Sequence, residues 1–136
     1  MNNKETPDKA LHIKKFIPGI AWFFLTLIAI SIPGYDLPKM GPWFEQISFD
    51  KLIHTGLFGM LAVLFMYPFS LTDLKKKQKI GWYIKIALAT IIWGLAAELI
   101  QKYFIPRRSF DIVDFIANSL GAIAAFIYFK IRLNKK

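Results

Sequence analysis

Cysteine is absent from the 136 residues, which excludes disulfides and thiolate metal sites and leaves the redox compartment unreadable from cysteine usage. No nucleophilic serine motif, glycine-rich phosphate loop or metalloprotease motif is present either. Acidic residues are scarce: nine Asp and Glu stand against 18 Lys and Arg, for a net charge of +9. Such a balance fits either nucleic acid or an anionic lipid surface. Hydropathy decides between them. The chain is 55% hydrophobic and 16% aromatic, with a mean hydropathy of +0.40. That is too apolar for an ordinary water-soluble domain, and the basic residues flank apolar runs. A membrane is therefore expected and nucleic acid is not, within a length that allows one domain.

Four apolar segments follow one another, at about residues 16–32, 52–71, 80–104 and 110–131. Each has roughly the 17–25 residues that a helix needs to cross a hydrocarbon core ~30 Å thick. Strands of that length would leave backbone groups unpaired in lipid, so helices are expected. The reading is an all-α, integral membrane four-helix bundle. Residues 1–15 form a basic tail, 16–132 the membrane domain and 133–136 a second basic tail. Segment one follows Lys14 and Lys15 as a signal peptide would, but Ser31-Ile32-Pro33-Gly34-Tyr35 offers no small-residue cleavage site, so it is read as retained.

Positive charge orients the bundle. Lys4, Lys9, Lys14 and Lys15, then Lys75, Lys76, Lys77 and Lys79, then Lys130, Arg132, Lys135 and Lys136 fall on one side if four helices alternate. That side is expected to be cytoplasmic, with both termini on it. Lys85, one turn into segment three, can snorkel back to the same face. The opposite side receives the 33–47 loop, read as an interface-hugging connection with Tyr35 and Trp43 at headgroup level, and the short 105–109 turn. Its charges are nearly balanced: Lys39, Lys51, Lys102, Arg107 and Arg108 against Asp36, Glu45, Asp50, Glu98, Asp111 and Asp114.

Charge at membrane depth is the informative feature. Segment two begins Asp50-Lys51-Leu52-Ile53-His54, segment three ends Glu98-Leu99-Ile100-Gln101-Lys102, and segment four carries Asp111, Asp114 and Asn118. At ~1.5 Å rise per residue, His54, Glu98, Asp114 and Asn118 lie ~6–12 Å from their helix ends, in one layer near the outer face. Asp50 and His54 are four apart, Glu98 and Gln101 three apart, and Asp111, Asp114, Asn118 and Gly121 follow a 3–4–3 spacing, so each set shares a face. An ionisable group in lipid costs ~2.5–3.5 kcal/mol even on lenient scales. The groups are therefore expected to converge in a polar pocket, with Lys51 and Arg107 or Arg108 paired to carboxylates. Other readings stay open at several positions. Ser109 reads equally as a cap on helix four with Asp111 at its positive end, and Asp50 as a cap on helix two. Asp114 and Asn118 lie too deep to cap, yet fit a polar clasp between helices. Gly94, Ala96, Ala97, Gly121, Ala122, Ala124 and Ala125 read as allowing close helix packing.

The runs DKLIH (Asp50–His54) and ELIQKYFIPRRSFDIVDFIANSLGAIAA (Glu98–Ala125) resemble the VanZ-like family of small bacterial membrane proteins. The family pattern D-K-x-x-H, E-x-x-Q, R-S/T-x-D-x-x-D and N-x-x-G falls here on Asp50, Lys51, His54, Glu98, Gln101, Arg108, Ser109, Asp111, Asp114, Asn118 and Gly121. It spans the last three helices, and Arg107 lies outside it. The resemblance implies a multi-pass protein of the bacterial cytoplasmic membrane, related to the cell wall and to susceptibility to the glycopeptide teicoplanin. It gives no reaction and leaves any cofactor unknown. Three functions remain in play. One is a pocket for a phosphate-bearing membrane lipid, a phospholipid or polyprenyl phosphate, with Arg108, Lys51 and His54 as donors. Another is an intramembrane enzyme acting on a lipid phosphate or ester, with His54, Glu98 and Asp114 as catalytic candidates. In that reading His54, Glu98, Asp111 and Asp114 also suit a hard metal, although no metal site is assigned. The third is a structural partner protein whose charges lock the helices.

The charge distribution makes a direct prediction. Reporter fusions at the Lys75–Lys79 loop and at the C-terminus will report a cytoplasmic location, and a fusion in the 105–109 turn will report the opposite side; a periplasmic signal from the lysine loop reverses the orientation.

Overall fold

A computed structural model of the chain describes residues 11–33, 41 and 49–135. A 3-10 turn at Ile13–Phe16 leads into α1 (Ile17–Ile30), followed by α2 (Phe49–Ser70), α3 (Lys76–Phe104) and α4 (Ile112–Asn134). No strand occurs among the described residues. All four helices, the first counted with its 3-10 turn, are long and apolar enough to cross a membrane, as the sequence predicts. The protein is an all-helical, multi-pass membrane protein. Lys4, Lys9, Lys136 and the 33–47 loop residues Tyr35, Asp36, Lys39, Trp43 and Glu45 lie outside the described residues.

Local sequence sets the helix ends. Pro18 sits in the first turn of α1, where its missing N–H costs nothing. α3 starts at Lys76, four residues before its apolar run, because the Gln78 side chain accepts the Lys75 N–H at 3.0 Å and lets the lysines form a solvated first turn. Pro68 lies in the last turn of α2, which ends two residues later. Between α3 and α4, Arg108 N–H donates to Ile105 O at 3.3 Å, and Arg107 takes a left-handed φ of 56° inside that turn. A glycine would sit there at less cost.

The helices alternate in direction. At one end, the Gln101 amide of α3 donates to Ile30 O at the close of α1 (3.2 Å), and the first turn of α2 meets that of α4 through Lys51 and Asp111. At the other, lysine-rich end, Phe16 packs edge-on against Phe69, and Lys79 donates to Ser70 O at 3.2 Å. Lys85 lies over the Trp82 ring at 4.7 Å, leaning toward that end as a snorkelling lysine should. Burial runs opposite to that of a water-soluble protein. Ile28, Ile92 and Leu120 are more than half exposed, whereas Glu98 and Asn118 have no exposed surface. The apolar core is small-residue rich, with Ala62, Ala87, Ala122 and Ala125 filled in by Met66, Tyr83 and Phe129.

α2 and α4 approach most closely at two glycines. A methyl group added to Gly121 would collide with Thr55 O and lie 2.7 Å from Gly59 N, and one added to Gly59 would press on the Gly121 backbone at 3.3 Å. Thr55 reinforces the crossing by donating to Ala117 O at 3.1 Å. A methyl group added to Gly94 of α3 would lie 3.0 Å from the Asn118 Cβ, so the glycine admits Asn118 to the bundle interior. These are the close approaches expected of Gly94 and Gly121; Gly59 is an additional member.

Substitution should therefore separate two kinds of glycine. Gly121→Ala meets backbone that cannot rotate aside and is expected to cost about 1–3 kcal/mol. Gly56→Ala and Gly81→Ala, where nothing stands within 4 Å, should be neutral or slightly stabilising. Thermal unfolding in detergent checks both, and a Gly121→Ala protein as stable as the parent contradicts this packing.

Candidate functional site

The glycine crossing brings the first turns of α2 and α4 together, and the last turns of α3 close the third side. Lys51 extends across the gap to Asp111 Oδ2 at 3.0 Å and forms an ion pair with Asp114 Oδ1. Its ammonium also stands 3.9 Å from Asp50 Oδ2. Three residues after Lys51, His54 is buried, with Nδ1 at 3.0 Å from Asn118 Oδ1. Asn118 Nδ2 in turn donates to Glu98 Oε1 at 3.5 Å, and the other Glu98 oxygen accepts the Asp111 N–H at 3.3 Å. One network thus joins the three helices.

Hydrogen-bond roles follow from that chain. The Asn118 amide turns its NH2 to Glu98 and its oxygen, an acceptor only, to His54. The imidazole then carries its proton on Nδ1 to donate to that oxygen. In the neutral ring this leaves a bare lone pair on Nε2. Nε2 makes no hydrogen bond among the described residues; Asp50 Oδ1 and Asp114 Oδ2 both stand 3.8 Å from it. Thr55, which bonds Lys51 O and Ala117 O, fixes the backbone beneath Lys51. The sequence reading missed Thr55, since a threonine four residues after Lys51 carries no signal beyond its spacing.

Each expected site residue can be placed. Asp50, Lys51, His54, Glu98, Asp111, Asp114 and Asn118 converge as expected. Asp111, not Ser109, caps α4: its Oδ1 accepts the Val113 N–H at 2.8 Å, while Ser109 is exposed and makes no hydrogen bond among the described residues. The cap falls on Asp111 because the helix begins at Ile112, two residues later than the apolar run. The Val113 amide and then the Lys51 ammonium hold the Asp111 carboxyl below its usual range. Asp50 is no free cap, since it lies within the first turn of α2. Gln101 is buried but leaves the network for Ile30 O on α1, so it fastens the bundle instead of lining the site. Spacing placed it on the Glu98 face, and three residues of helical rotation were enough to turn it to the neighbouring helix. Arg108 forms no carboxylate pair among the described residues, and its Nε is buried without a hydrogen-bond partner.

Below this polar cluster, toward mid-membrane, α1, α2 and α3 line an open apolar cleft of about 200 Å³ formed by Phe23, Leu61, Phe65, Ile86, Thr90 and Trp93. Trp93 lies five residues from Glu98, ~7.5 Å along the helix. Its Nε1 is buried with no hydrogen-bond partner among the described residues.

Comparison with known proteins fits this arrangement. The chain is 32% identical over 90 residues to an uncharacterised protein of the fission yeast Schizosaccharomyces pombe, a match that covers 63% of this chain. It covers 52% of the relative, so the chain spans about half of that protein's length. No solved structure matches. The VanZ/LLP1 family profile matches residues 6–133, helix one included, where the motifs themselves touch only the last three helices. A four-helix membrane bundle matched by that profile nearly end to end makes this chain a member of the VanZ/LLP1 family.

Proposed function

We propose that the protein holds a phosphate-bearing membrane lipid, a phospholipid or a polyprenyl phosphate, with its headgroup at the polar chamber and its chain in the apolar cleft. The observation that carries this reading is Arg108. A guanidinium nitrogen buried with no acceptor among the described residues is a strong donor left unsatisfied by them, and a phosphate oxygen is the acceptor that a planar guanidinium matches best. Arg108 lies in the turn between α3 and α4, three residues before Asp111. Lys51 contributes less as a donor than the sequence implies, because Asp111 and Asp114 already engage it. The cleft ~7.5 Å deeper suits an acyl or prenyl chain, in the order headgroup then tail that a bilayer imposes.

In this reading the chamber faces the outer leaflet of a bacterial cytoplasmic membrane. The lipid links the protein to cell-wall physiology, including susceptibility to teicoplanin, the setting the family resemblance implies. A second reading has one observation in its favour: His54 Nε2 between two carboxylates is placed for proton transfer, as an enzyme acting on a lipid phosphate or ester would need. Turnover of a polyprenyl phosphate that is lost in His54→Gln would establish it, and no turnover would remove it.

Native mass spectrometry of the detergent-extracted protein tests the lipid reading. Wild type is expected to retain a phosphorus-containing lipid. Arg108→Ala should lose most of it, while Lys102→Ala, an exposed cation of the same helix end, should not. Equal retention by wild type and Arg108→Ala, or no lipid on either, contradicts the reading.

A further inference from the structure

The buried histidine has one nitrogen committed and one without a hydrogen-bond partner among the described residues. Nδ1 is tied to Asn118, whose amide is tied to Glu98, so the ring is held at a fixed angle with the Nε2 lone pair facing away from that anchor. Metal-binding histidines are held in this way, the far nitrogen oriented by an amide, carbonyl or carboxylate. Nε2 faces Asp50 Oδ1 and Asp114 Oδ2, each at 3.8 Å, too far for a hydrogen bond. Both carboxylates divide their oxygens in the same sense. Oδ1 of Asp114 takes Lys51 and leaves Oδ2 toward the histidine; Oδ2 of Asp50 approaches Lys51 and leaves Oδ1.

We propose that Asp50 Oδ1, His54 Nε2 and Asp114 Oδ2 form a binding site for a divalent first-row transition ion such as zinc or manganese. The three residues can offer ligand atoms that all lie within 4.8 Å of one another. An ion with bonds of about 2.0–2.4 Å can touch all three after small side-chain rotations. The donor set selects among cations. An imidazole nitrogen with two carboxylates suits zinc or manganese, whereas magnesium and calcium favour oxygen alone. Charge points the same way. Asp50, Asp111 and Asp114 surround one engaged ammonium, and a dication offsets that excess of acid in a site where His54 and Asp114 side chains are only 6% and 11% exposed. Asp50, at 56% side-chain exposure, gives the ion a way in from the chamber mouth and leaves coordination positions open there. Lys51 acts outside the ligand shell and orients both carboxylates. The site does not rest on the lipid reading, since it requires no lipid.

The test is calorimetric titration of the chelator-stripped, full-length protein in lipid-free detergent with zinc and with manganese chloride, with elemental analysis for stoichiometry. Wild type is expected to bind one ion per chain and to melt at a higher temperature with it. Asp50→Asn, an exposed position, should keep the metal-free melting temperature and lose at least about tenfold in affinity. His54→Gln should lose binding altogether. No stoichiometric zinc or manganese on wild type, undiminished affinity in Asp50→Asn, or binding of magnesium or calcium alone would overturn the site. Because no lipid enters the titration, a failed lipid-retention experiment leaves this result standing, and the reverse also holds.

Discussion

Lys51 lies between Asp111 and Asp114 within a membrane-spanning bundle, and most of the architecture follows from keeping that ammonium and its carboxylates out of lipid. A charge on the lipid-facing surface costs ~2.5–3.5 kcal/mol at the helix centre on lenient scales, and several on one surface would prevent insertion. Pairing across helices is the available escape, and it is productive only where the backbones come close. Gly59 and Gly121 supply that closeness: α2 and α4 touch backbone to backbone two turns below the ion pair. Lysine reach, glycine contact and Thr55 hydrogen bonding therefore describe one crossing.

The network built on that crossing is asymmetric. On one side Lys51 neutralises carboxylates near the chamber mouth; on the other, Glu98 and Asn118 are fully buried and fix the imidazole. A purely mechanical clasp would saturate its donors and acceptors. Here His54 Nε2 and Arg108 Nε stay without hydrogen-bond partners among the described residues, one an acceptor in the neutral ring and the other a donor. An unsatisfied acceptor beside two carboxylates invites a cation, and an unsatisfied guanidinium invites an anion. A metal ion with open positions and a phosphate-bearing headgroup are chemically compatible occupants of one chamber.

Much of this was legible in the amino-acid order because membrane physics leaves few choices. Four apolar runs of spanning length admit only helices, and ionisable groups at a common depth must face one another. That reasoning brought together Asp50, Lys51, His54, Glu98, Asp111, Asp114 and Asn118. It failed where a fraction of a helical turn decides the outcome. Gln101 shares a face with Glu98 in spacing but reaches the Ile30 carbonyl, because α1 lies beside that flank of α3. Ser109 looked like a cap, yet the chain stays non-helical until Ile112 and the cap falls to Asp111. Gly59 was overlooked since a glycine in a membrane helix is common, and only the opposing Gly121 gives it meaning. Arg107 or Arg108 was expected to pair with a carboxylate; Arg108 forms no such pair among the described residues, and the turn geometry that decides it, with Arg107 left-handed, is not reported by any periodicity.

Convergence of the α2 and α4 charges is the central claim, and a double-mutant cycle on Lys51→Met and Asp114→Leu, followed by thermal unfolding in one detergent, tests it most directly. Coupled partners leave an uncompensated charge in either single variant, so the double variant should be less destabilised than the two losses combined, by roughly 1 kcal/mol or more. Losses that add within about 0.3–0.5 kcal/mol would show that the two side chains do not meet.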